Sequence, residues 1–381
     1  MRLLFLFISF LVGALVIYWT LPNQKSRTVF LGLASLIFIL LADKLAGRIV
    51  AVLTVYTYFF SILIENSKHK SLYHHISVAG IVILLAFFKY IGFLDGYIHS
   101  VTGFFLNSQN HSFEKILMPL GLSYITLRYI SYLTDIYWGI NRKTDIYTLL
   151  FYGALFTTFL SGPIDRFERI DRQIKTFRIN FAPTFVYEGF ERIAFGLFKK
   201  FVIADWTGYL INSISVGSNT FTEKAVMLFG FSIQLYMDFA GYSDIAIGTS
   251  RLFGLRIMEN FDSPYAKPNI SRFWRSWHIS LSDWIRDYIF FPLGKISNKK
   301  IWLLVFVPVI SMGVCGMWHG SEMKYAVWGM YHGAGLSIYQ FWSLYKKKNK
   351  SLKAVTETGW FNAFAVTLTF IFITFGWIFF R

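Results

Sequence analysis

Two histidines in this sequence have surroundings suited to acid–base chemistry. His319 stands in Gly316-Met-Trp-His-Gly320, at the end of an apolar run, and His278 stands in the tryptophan-rich segment 271–290. An imidazole in or near hydrocarbon costs several kcal/mol unless a partner satisfies it. His319 is therefore either a functional group or a histidine that bonds a neighbouring backbone carbonyl and fixes helix packing.

The chemistry open to such a histidine is proton transfer in a dry, polar-lined cavity. A neutral imidazole near pH 7 can take a proton from a hydroxyl as that hydroxyl attacks a carbonyl, and a low dielectric strengthens the dipoles that stabilise the oxyanion. Candidate helpers are His278, Trp277, Trp318 and Arg286. This inventory fits acyl transfer better than hydrolysis of a charged substrate.

Other common mechanisms lack their motifs. The sequence has no G-x-S-x-G elbow, Walker loop, dinucleotide-binding fingerprint or H-E-x-x-H motif. Its single cysteine, Cys315, excludes a multi-cysteine zinc site. The eight histidines are enough in number for a site with three histidine ligands, but their spacing does not support one, so we predict no metal.

Composition places these residues in a membrane protein. Of 381 residues, 55% are hydrophobic and only 15% are charged, against roughly 25% charged in soluble proteins. The fold class predicted is all-α, a polytopic transmembrane bundle, because lipid excludes unpaired backbone groups. Several apolar runs fall short of the roughly 20 residues of a full span, which predicts re-entrant or interfacial helices. The candidate spans are 3–21, 29–41, 49–64, 76–91, 117–137, 147–160, 185–203, 225–247, 301–317, 325–344 and 361–380.

The charge pattern indicates orientation. The net charge of +16 comes from basic residues that lie between apolar runs, which favours cytoplasmic loops and anionic lipid over nucleic acid. The first run, 3–21, is interpreted as a retained span and not as a cleaved signal peptide. Basic clusters at 295–300 and 346–350 flank a helical hairpin and predict that both its outer ends are cytoplasmic. Its tip, with His319, then points away from the cytoplasm or stops within the membrane.

Local patterns predict how the other elements meet. Gly316–Gly320 and Gly329–Gly333 are small-xxx-small patterns that let helices approach closely. The segment 271–290 alternates as one amphipathic helix whose tryptophans suit the headgroup boundary. The span at 225–250 carries two acids, which are either proton carriers or, as favoured here, packing partners of an arginine. Those acids are Asp238 and Asp244, and the arginines considered are Arg128, Arg251 and Arg256.

Taken together, the motifs resemble the membrane-bound O-acyltransferase family, and within it the alginate O-acetyltransferase branch. The resemblance covers about residue 80 to the end. It rests on these segments: Pro119–Tyr124, Ser161–Ile164, Asp238–Gly248, Asn260-Phe261, Pro264-Tyr265, Ser271–Tyr288, Phe291–Gly294, Gly316–Gly320 and Trp328-Gly329. Ala240 and Lys295 are mild departures from that branch.

The resemblance implies a multi-helix enzyme with a central tunnel or funnel. It implies that His319 is the catalytic histidine and that His278 is the second family histidine. It also implies that an acyl group passes from a cytosolic thioester, acetyl-CoA or another donor, to an extracytoplasmic acceptor with no bound cofactor, often with a partner protein. We expect the acyl and substrate path to be lined by Trp277, Trp318, Arg286, Asp238, Gln234 and Tyr242.

The function predicted is O-acetylation of an extracellular or cell-wall polysaccharide at a bacterial plasma membrane. D-alanyl transfer to teichoic acid is the alternative inside the family: Asp165-Arg166 looks closer to that branch, whereas Phe291–Gly294 argues against it. A transporter or scaffold, with Arg128, Asp238 and Asp244 along a permeation path, is the alternative outside it. We expect one integral-membrane domain over residues 1–381, with C-terminal helices missing relative to the family, because relatives generally continue past this point.

Overall fold

A computed structural model describes residues 2–102, 118–176, 181–215, 220–296 and 298–381. Throughout these ranges the secondary structure is helical, with no strand. The first helices are α1 Arg2–Thr20, α2 Gln24–Ala42, α3 Lys44–Asn66, α4 Lys70–Thr102, α5 Leu122–Tyr137, α6 Ile146–Ala154, α7 Phe167–Thr176 and α8 Pro183–Leu197. The remainder are α9 Asp205–Ser215, α10 Phe221–Leu252, α11 Ile270–Trp274, α12 Ile279–Ile285, α13 Phe291–Gly294, α14 Val307–His319, α15 Met323–Lys348, α16 Lys350–Thr356 and α17 Gly359–Gly376.

The all-α membrane architecture predicted from composition is confirmed. Five described helices are long and apolar enough to cross a bilayer, and residues 5–20 form a shorter apolar helix. The five are Gln24–Ala42, Lys44–Asn66, Lys70–Gly92, Trp302–His319 and Gly359–Phe379.

The described chain forms two compact units. Unit 1 comprises Met1–Ile193 and Ala246–Met258, and unit 2 comprises Ala194–Ile245 and Glu259–Arg381. Both candidate histidines lie in unit 2. The single domain over residues 1–381 stays a prediction.

Unit 1 is organised around a buried arginine. Arg128 is 3% exposed, and its guanidinium donates to the carbonyl oxygens of Gly153 at 3.2 Å, Thr158 at 3.2 Å and Pro163 at 3.1 Å. The guanidinium N–H groups of Arg128 thus take the place of the backbone N–H groups that would bond to carbonyl oxygens in a longer helix. In agreement with this, α6 ends at Ala154. The predicted span 147–160 is therefore helical only in its first part.

Unit 2 is built on a core of aromatic rings. Trp277 stacks on Phe273 with centroids 5.6 Å apart, and Trp328 stacks on Trp377 at 5.9 Å. Tyr265 closes one side of this core and donates a hydrogen bond to the Ser232 carbonyl at 2.9 Å. Large rigid rings of this kind bury much apolar area in defined geometries, which gives the histidines of unit 2 a fixed frame.

Candidate active site

The α14–α15 hairpin holds His319 in place. His319 is the last residue of α14, and the chain turns through Gly320 into α15 at Met323. A Cβ on Gly316 would stand 2.1 Å from the Tyr325 carbonyl oxygen. A Cβ on Gly329 would stand 2.1 Å from the carbonyl oxygen of the residue opposite it on α14. The two helices therefore cross at a distance only glycine permits, and the predicted close approach is confirmed.

Aromatic rings surround the His319 imidazole. The Trp328 ring lies perpendicular to it, with centroids 5.2 Å apart, and Phe380 lies at 5.3 Å. Trp318, the preceding residue, has its ring 5.0 Å away. His319 itself is half-buried. An acid–base group in such a place is fixed in orientation and still reachable from outside the core.

His278 lies deeper and has an unusual backbone. It is 2% exposed and takes φ 43° and ψ 55°, in the left-handed region that side-chain-bearing residues rarely occupy. The Phe239 ring stands perpendicular to it at 4.6 Å, and Trp318 lies 6.2 Å away. Burial, and after it the charge of the neighbouring His319, lowers the pKa of His278 well below its ordinary value. The His278 imidazole is therefore neutral at pH 7.

Asn260 clamps the turn that carries His278. Its side-chain Oδ1 accepts hydrogen bonds from the Ser280 hydroxyl at 2.7 Å and the Ser280 backbone N–H at 3.3 Å. Its Nδ2 donates to the Ser243 hydroxyl at 3.1 Å, and its carbonyl oxygen accepts from the Ile279 N–H at 2.9 Å. Asn260 is fully buried. In the sequence, Asn260 belongs to one of the segments that resemble the family, but nothing there predicts these hydrogen bonds, which we call the Asn260 clamp.

The prediction of one amphipathic helix over 271–290 is wrong. The segment divides into α11, a turn at residues 275–278, α12, and a π-helical stretch at Arg286–Phe290. The left-handed residue in the turn interrupts the helix, because the Asn260 clamp stabilises another backbone path. Trp274 and Trp277 are only 7% and 5% exposed, so they belong to the protein core and not to a headgroup boundary.

One face of α10 contacts the His278 region. Tyr236 packs against Trp277 at 5.9 Å, Phe239 packs against His278, and Ser243 receives the Asn260 hydrogen bond. Their spacing of three and four residues puts them on one face of the helix. Tyr236 and Ser243 are polar residues of this span in the sequence, but they are not among the predicted path residues.

Of the three path residues predicted on α10, Gln234 and Asp238 have partners away from His278. Gln234 packs against α9, where a Cβ on Gly208 would meet its amide nitrogen at 2.5 Å. Asp238 forms an ion pair with Lys200 at 2.6 Å. Tyr242 follows Asp238 by one turn and is half-buried. The structure brings neither Gln234 nor Asp238 to His278, and the path role of all three stays a prediction.

The acids of α10 pair with lysines of a π-helical turn. Lys199 and Lys200 lie in Phe198–Ala204, where Lys199 meets Asp244 at 2.5 Å while Lys200 meets Asp238. The sequence favoured helix packing over proton carriage for these acids, and the two ion pairs agree with packing. Both pairs join an acid to a lysine, whereas the sequence considered arginines. Arg251 pairs with Glu188 at 2.6 Å instead.

Trp318 and Trp277 are placed differently. Trp318 is half-buried, and its ring lies 5.0 Å from that of His319 and 6.2 Å from that of His278. Trp277 belongs to the stacked core and forms an isolated antiparallel bridge with Phe261. The structure thus brings together three of the predicted residues, His278, Trp318 and His319.

Arg286 lies on the exposed side of its segment. Its side chain is 47% exposed and pairs with Asp283 at 2.5 Å and Asp287 at 2.9 Å. Two acids balance its charge, so it offers little net attraction for an anionic group in this conformation. Its place along the acyl path stays a prediction. No group of three or more metal-ligating side chains occurs in the ranges that the structure describes.

A protein-family model matches most of the chain. The model of MBOAT, the membrane-bound O-acyltransferase family, matches residues 102–378. That range contains both candidate histidines and every predicted path residue.

Comparison with known proteins gives similarity over 71% to 99% of the chain. The probable alginate O-acetylase AlgI of Pseudomonas aeruginosa is 31% identical over 387 residues, covering 99% of this chain and 70% of that protein. The peptidoglycan O-acetyltransferase of Helicobacter pylori is 30% identical over 417 residues, 99% of this chain and 75% of that protein. The teichoic acid D-alanyltransferase of Bacillus subtilis is 32% identical over 282 residues, 71% of this chain and 70% of that protein.

Proposed function

Because this chain belongs to the membrane-bound O-acyltransferase family, we propose that it O-acetylates an extracellular or cell-wall polysaccharide, using an acyl thioester presented from the cytosol. It is a membrane-embedded acyltransferase. Two observations support the finer proposal. The alignments that cover 99% of this chain are to proteins named as O-acetylases or an O-acetyltransferase, whereas those to two teichoic acid D-alanyltransferases cover 71% and 68%. The site pairs a reachable imidazole with a buried neutral one.

In the proposed reaction His319 is the general base. It takes the proton from an acceptor hydroxyl as the hydroxyl oxygen attacks the thioester carbonyl carbon. The carbon–sulfur bond then breaks, the ester forms, and the proton passes from the imidazolium to the departing thiolate. The same geometry allows His319 to orient the acceptor hydroxyl through a hydrogen bond.

The surrounding groups shape this step. His278, neutral and fixed by its clamp, supplies a hydrogen-bonding ring without adding positive charge beside His319. The Trp318 ring lies near both imidazoles, 6.2 Å from that of His278 and 5.0 Å from that of His319. Trp277, the residue before His278, is fixed in the aromatic core by its stacking on Phe273. A site lined by aromatic rings excludes water, and the low dielectric strengthens the interaction of nearby dipoles with the oxyanion.

The setting proposed is the plasma membrane of a bacterium. The acetylases and the D-alanyltransferase that resemble this chain are all bacterial proteins. An extracytoplasmic partner protein that completes the transfer is part of the proposal, as is acetyl-CoA or another carrier-bound acyl donor. No nucleic-acid partner is proposed, because the basic residues lie between apolar helices.

The test is the acyl content of cell-surface polysaccharide. We expect His319→Ala to lower ester content by about 10²–10⁴-fold, the usual contribution of a general acid–base group. Alkaline release followed by mass spectrometry measures the ester and identifies the acyl group. His69→Ala, which removes an exposed histidine, is the control at equal membrane abundance.

The outcomes separate the alternatives. Loss of an acetyl ester supports the proposal. Loss of a D-alanyl ester would show instead that the chain is a D-alanyltransferase, the alternative inside the family. Wild-type ester content in His319→Ala cells would remove His319 from the mechanism. The transporter alternative receives no support from the charged residues, since Asp238 and Asp244 pair with lysines within their own unit.

A further inference from the structure

A third histidine lies behind the candidate active site. His332, on α15, is fully buried. Its ring lies 5.0 Å from that of Trp328 and 5.2 Å from that of Trp274, and the two indoles are 5.7 Å apart. We call these three rings the His332 cluster. All belong to unit 2, and their exposed fractions are between 0% and 7%.

Four polar atoms of the His332 cluster have no hydrogen-bond partner among the described residues. They are Nδ1 and Nε2 of His332, Nε1 of Trp274 and Nε1 of Trp328. Buried polar groups in folded proteins are almost always bonded to protein or to ordered water, since an unmade bond costs free energy. Four such atoms within three touching rings therefore call for bound hydrogen-bonding partners beside these rings.

Hydrogen-bond chemistry limits what those partners are. An indole N–H only donates, whereas a neutral imidazole has one donor and one acceptor nitrogen. The partners must accept from the tryptophans and must also donate to the histidine. Water does both, and buried waters typically make two to four such bonds.

Gly376 packs directly against one edge of the His332 ring. A Cβ on Gly376 would stand 2.7 Å from the His332 Nε2 atom, closer than real Cβ contacts allow. Any other residue at this position would displace the ring, so the glycine helps to fix His332 within the cluster.

We propose that the His332 cluster is a buried water-binding site that supports His319 from behind. The Trp328 ring is the link, because it lies 5.0 Å from His332 and 5.2 Å from His319. Water bound between His332 and the indoles fixes the Trp328 ring, and the ring fixes the His319 imidazole. His332 is thus a positioning residue and does not touch substrate. The effect on His319 rests on the proposed function, whereas the water site does not.

The water site is tested by radiolytic labelling of the full chain in H₂¹⁸O, with mass spectrometry of the oxidised residues. Activated water labels a buried ring only when it lies beside that ring. We expect ¹⁸O on His332 and Trp328 and none on Phe253, an equally buried ring that packs against Tyr18. Absence of label on His332 and Trp328, or equal label on Phe253, would overturn the water site.

The variant His332→Phe tests the role of the water. Phenylalanine keeps a ring in the core and removes both orphaned nitrogens, so we expect an unchanged or higher melting temperature. We also expect loss of label on Trp328 and a fall in kcat of about tenfold, typical of a slightly misplaced catalytic group, with KM for the donor unchanged. His332→Gln keeps a donor and an acceptor and should restore part of the activity.

The outcomes are separable. If His332→Phe loses the label but keeps wild-type kcat, the positioning role is overturned. If it loses activity only in proportion to a lower melting temperature, the cluster is structural and the positioning role is again overturned. If the wild-type chain transfers no acyl group, the proposed function fails, and labelling still decides the water site.

Discussion

The backbone of His278 is held against its own preference. A left-handed conformation costs a residue with a Cβ roughly 1–2 kcal/mol, and such strain persists where surrounding bonds over-determine it, often at functional sites. Asn260 supplies those bonds through Ser243, Ile279 and Ser280. The direction of the His278 imidazole therefore depends on an amide eighteen residues earlier in the chain.

Replacing Asn260 with alanine should disconnect this clamp. We expect Asn260→Ala to lower acyl transfer by about tenfold or more, because the turn can relax and move His278 away from Trp318. The lost hydrogen bonds should lower stability by about 1–3 kcal/mol. Turnover in membrane vesicles and the melting temperature of the purified protein measure the two effects.

The control for this change is Asn349→Ala. Asn349 accepts from the Leu352 N–H at 3.1 Å and caps α16, so its loss should cost about 1 kcal/mol of stability and leave turnover unaffected. Where Asn260→Ala fails to fold, Ser280→Ala removes one bond of the clamp and should give a smaller loss. Wild-type turnover in Asn260→Ala, at equal abundance, would contradict the clamp.

At the level of elements, the α14–α15 hairpin sets the position of His319. Glycines at 316 and 329 let the two helices touch through their backbones. Leu or Val at either position would separate the helices and carry the end of α14 with them. The hairpin and the close approach of its helices could both be predicted from the sequence, because each depends on residues close together in the chain.

A single methyl group should disturb this crossing. In Gly329→Ala the new Cβ would stand 2.1 Å from the Met312 carbonyl oxygen, and a helix backbone cannot yield without moving α14. We expect a loss of about 1–3 kcal/mol of stability, as for overpacking in a core, and a larger loss of turnover. Thermal unfolding and acyl transfer assays measure these quantities.

Gly313→Ala is the matched control on the facing helix. The nearest atom to its new Cβ is the Met330 Cγ at 3.8 Å, an ordinary contact. Alanine also favours the helix over glycine by roughly 1 kcal/mol, so this variant should be as stable as the wild type or more so. Equal behaviour of the two variants would show that the crossing does not govern the site.

The interrupted segment at 271–290 shows what sequence could not predict. Its pattern of tryptophans fits a continuous helix, and the Asn260 bonds that divide it come from a distant loop. The same holds for α10. Its polar residues are visible in the sequence, but which face meets His278 depends on neighbours, and Lys199 and Lys200 occupy the face of Asp244 and Asp238.

At the scale of the whole molecule, the charge pattern predicts how the chain lies in the membrane. Basic residues end α15 at Lys346, Lys347 and Lys348, and the positive-inside rule places such a cluster in the cytoplasm. The tip of the hairpin, near Glu322, then lies on the other side or within the bilayer. Composition and periodicity sufficed for the all-α membrane class, since they depend on no single contact.

Thiol labelling can test this orientation. Cys315 is 2% exposed and is the only cysteine in the sequence, so single cysteines introduced elsewhere report sidedness against a low background. We expect Lys347→Cys to react with an impermeant maleimide in inside-out vesicles only. Glu322→Cys should react in right-side-out vesicles or, if the tip stops in the bilayer, in neither.

Labelling of Lys347→Cys in right-side-out vesicles would reverse the proposed orientation. Cys315→Ser in the same background controls for reaction of the native thiol. Orientation also bears on the proposed donor, because a cytosolic thioester must reach a site whose acceptor lies outside.

The low pKa of His278 has a consequence for the surroundings in which the protein works. Its contribution to stability is complete above the ordinary imidazole pKa of about 6.5, and it declines only as pH falls from there toward the lowered value of the folded state. In the proposed setting, a bacterial plasma membrane, one side of the protein meets a medium the cell does not buffer. Acidification of that medium therefore lowers the stability of the fold before it places a charge on His278.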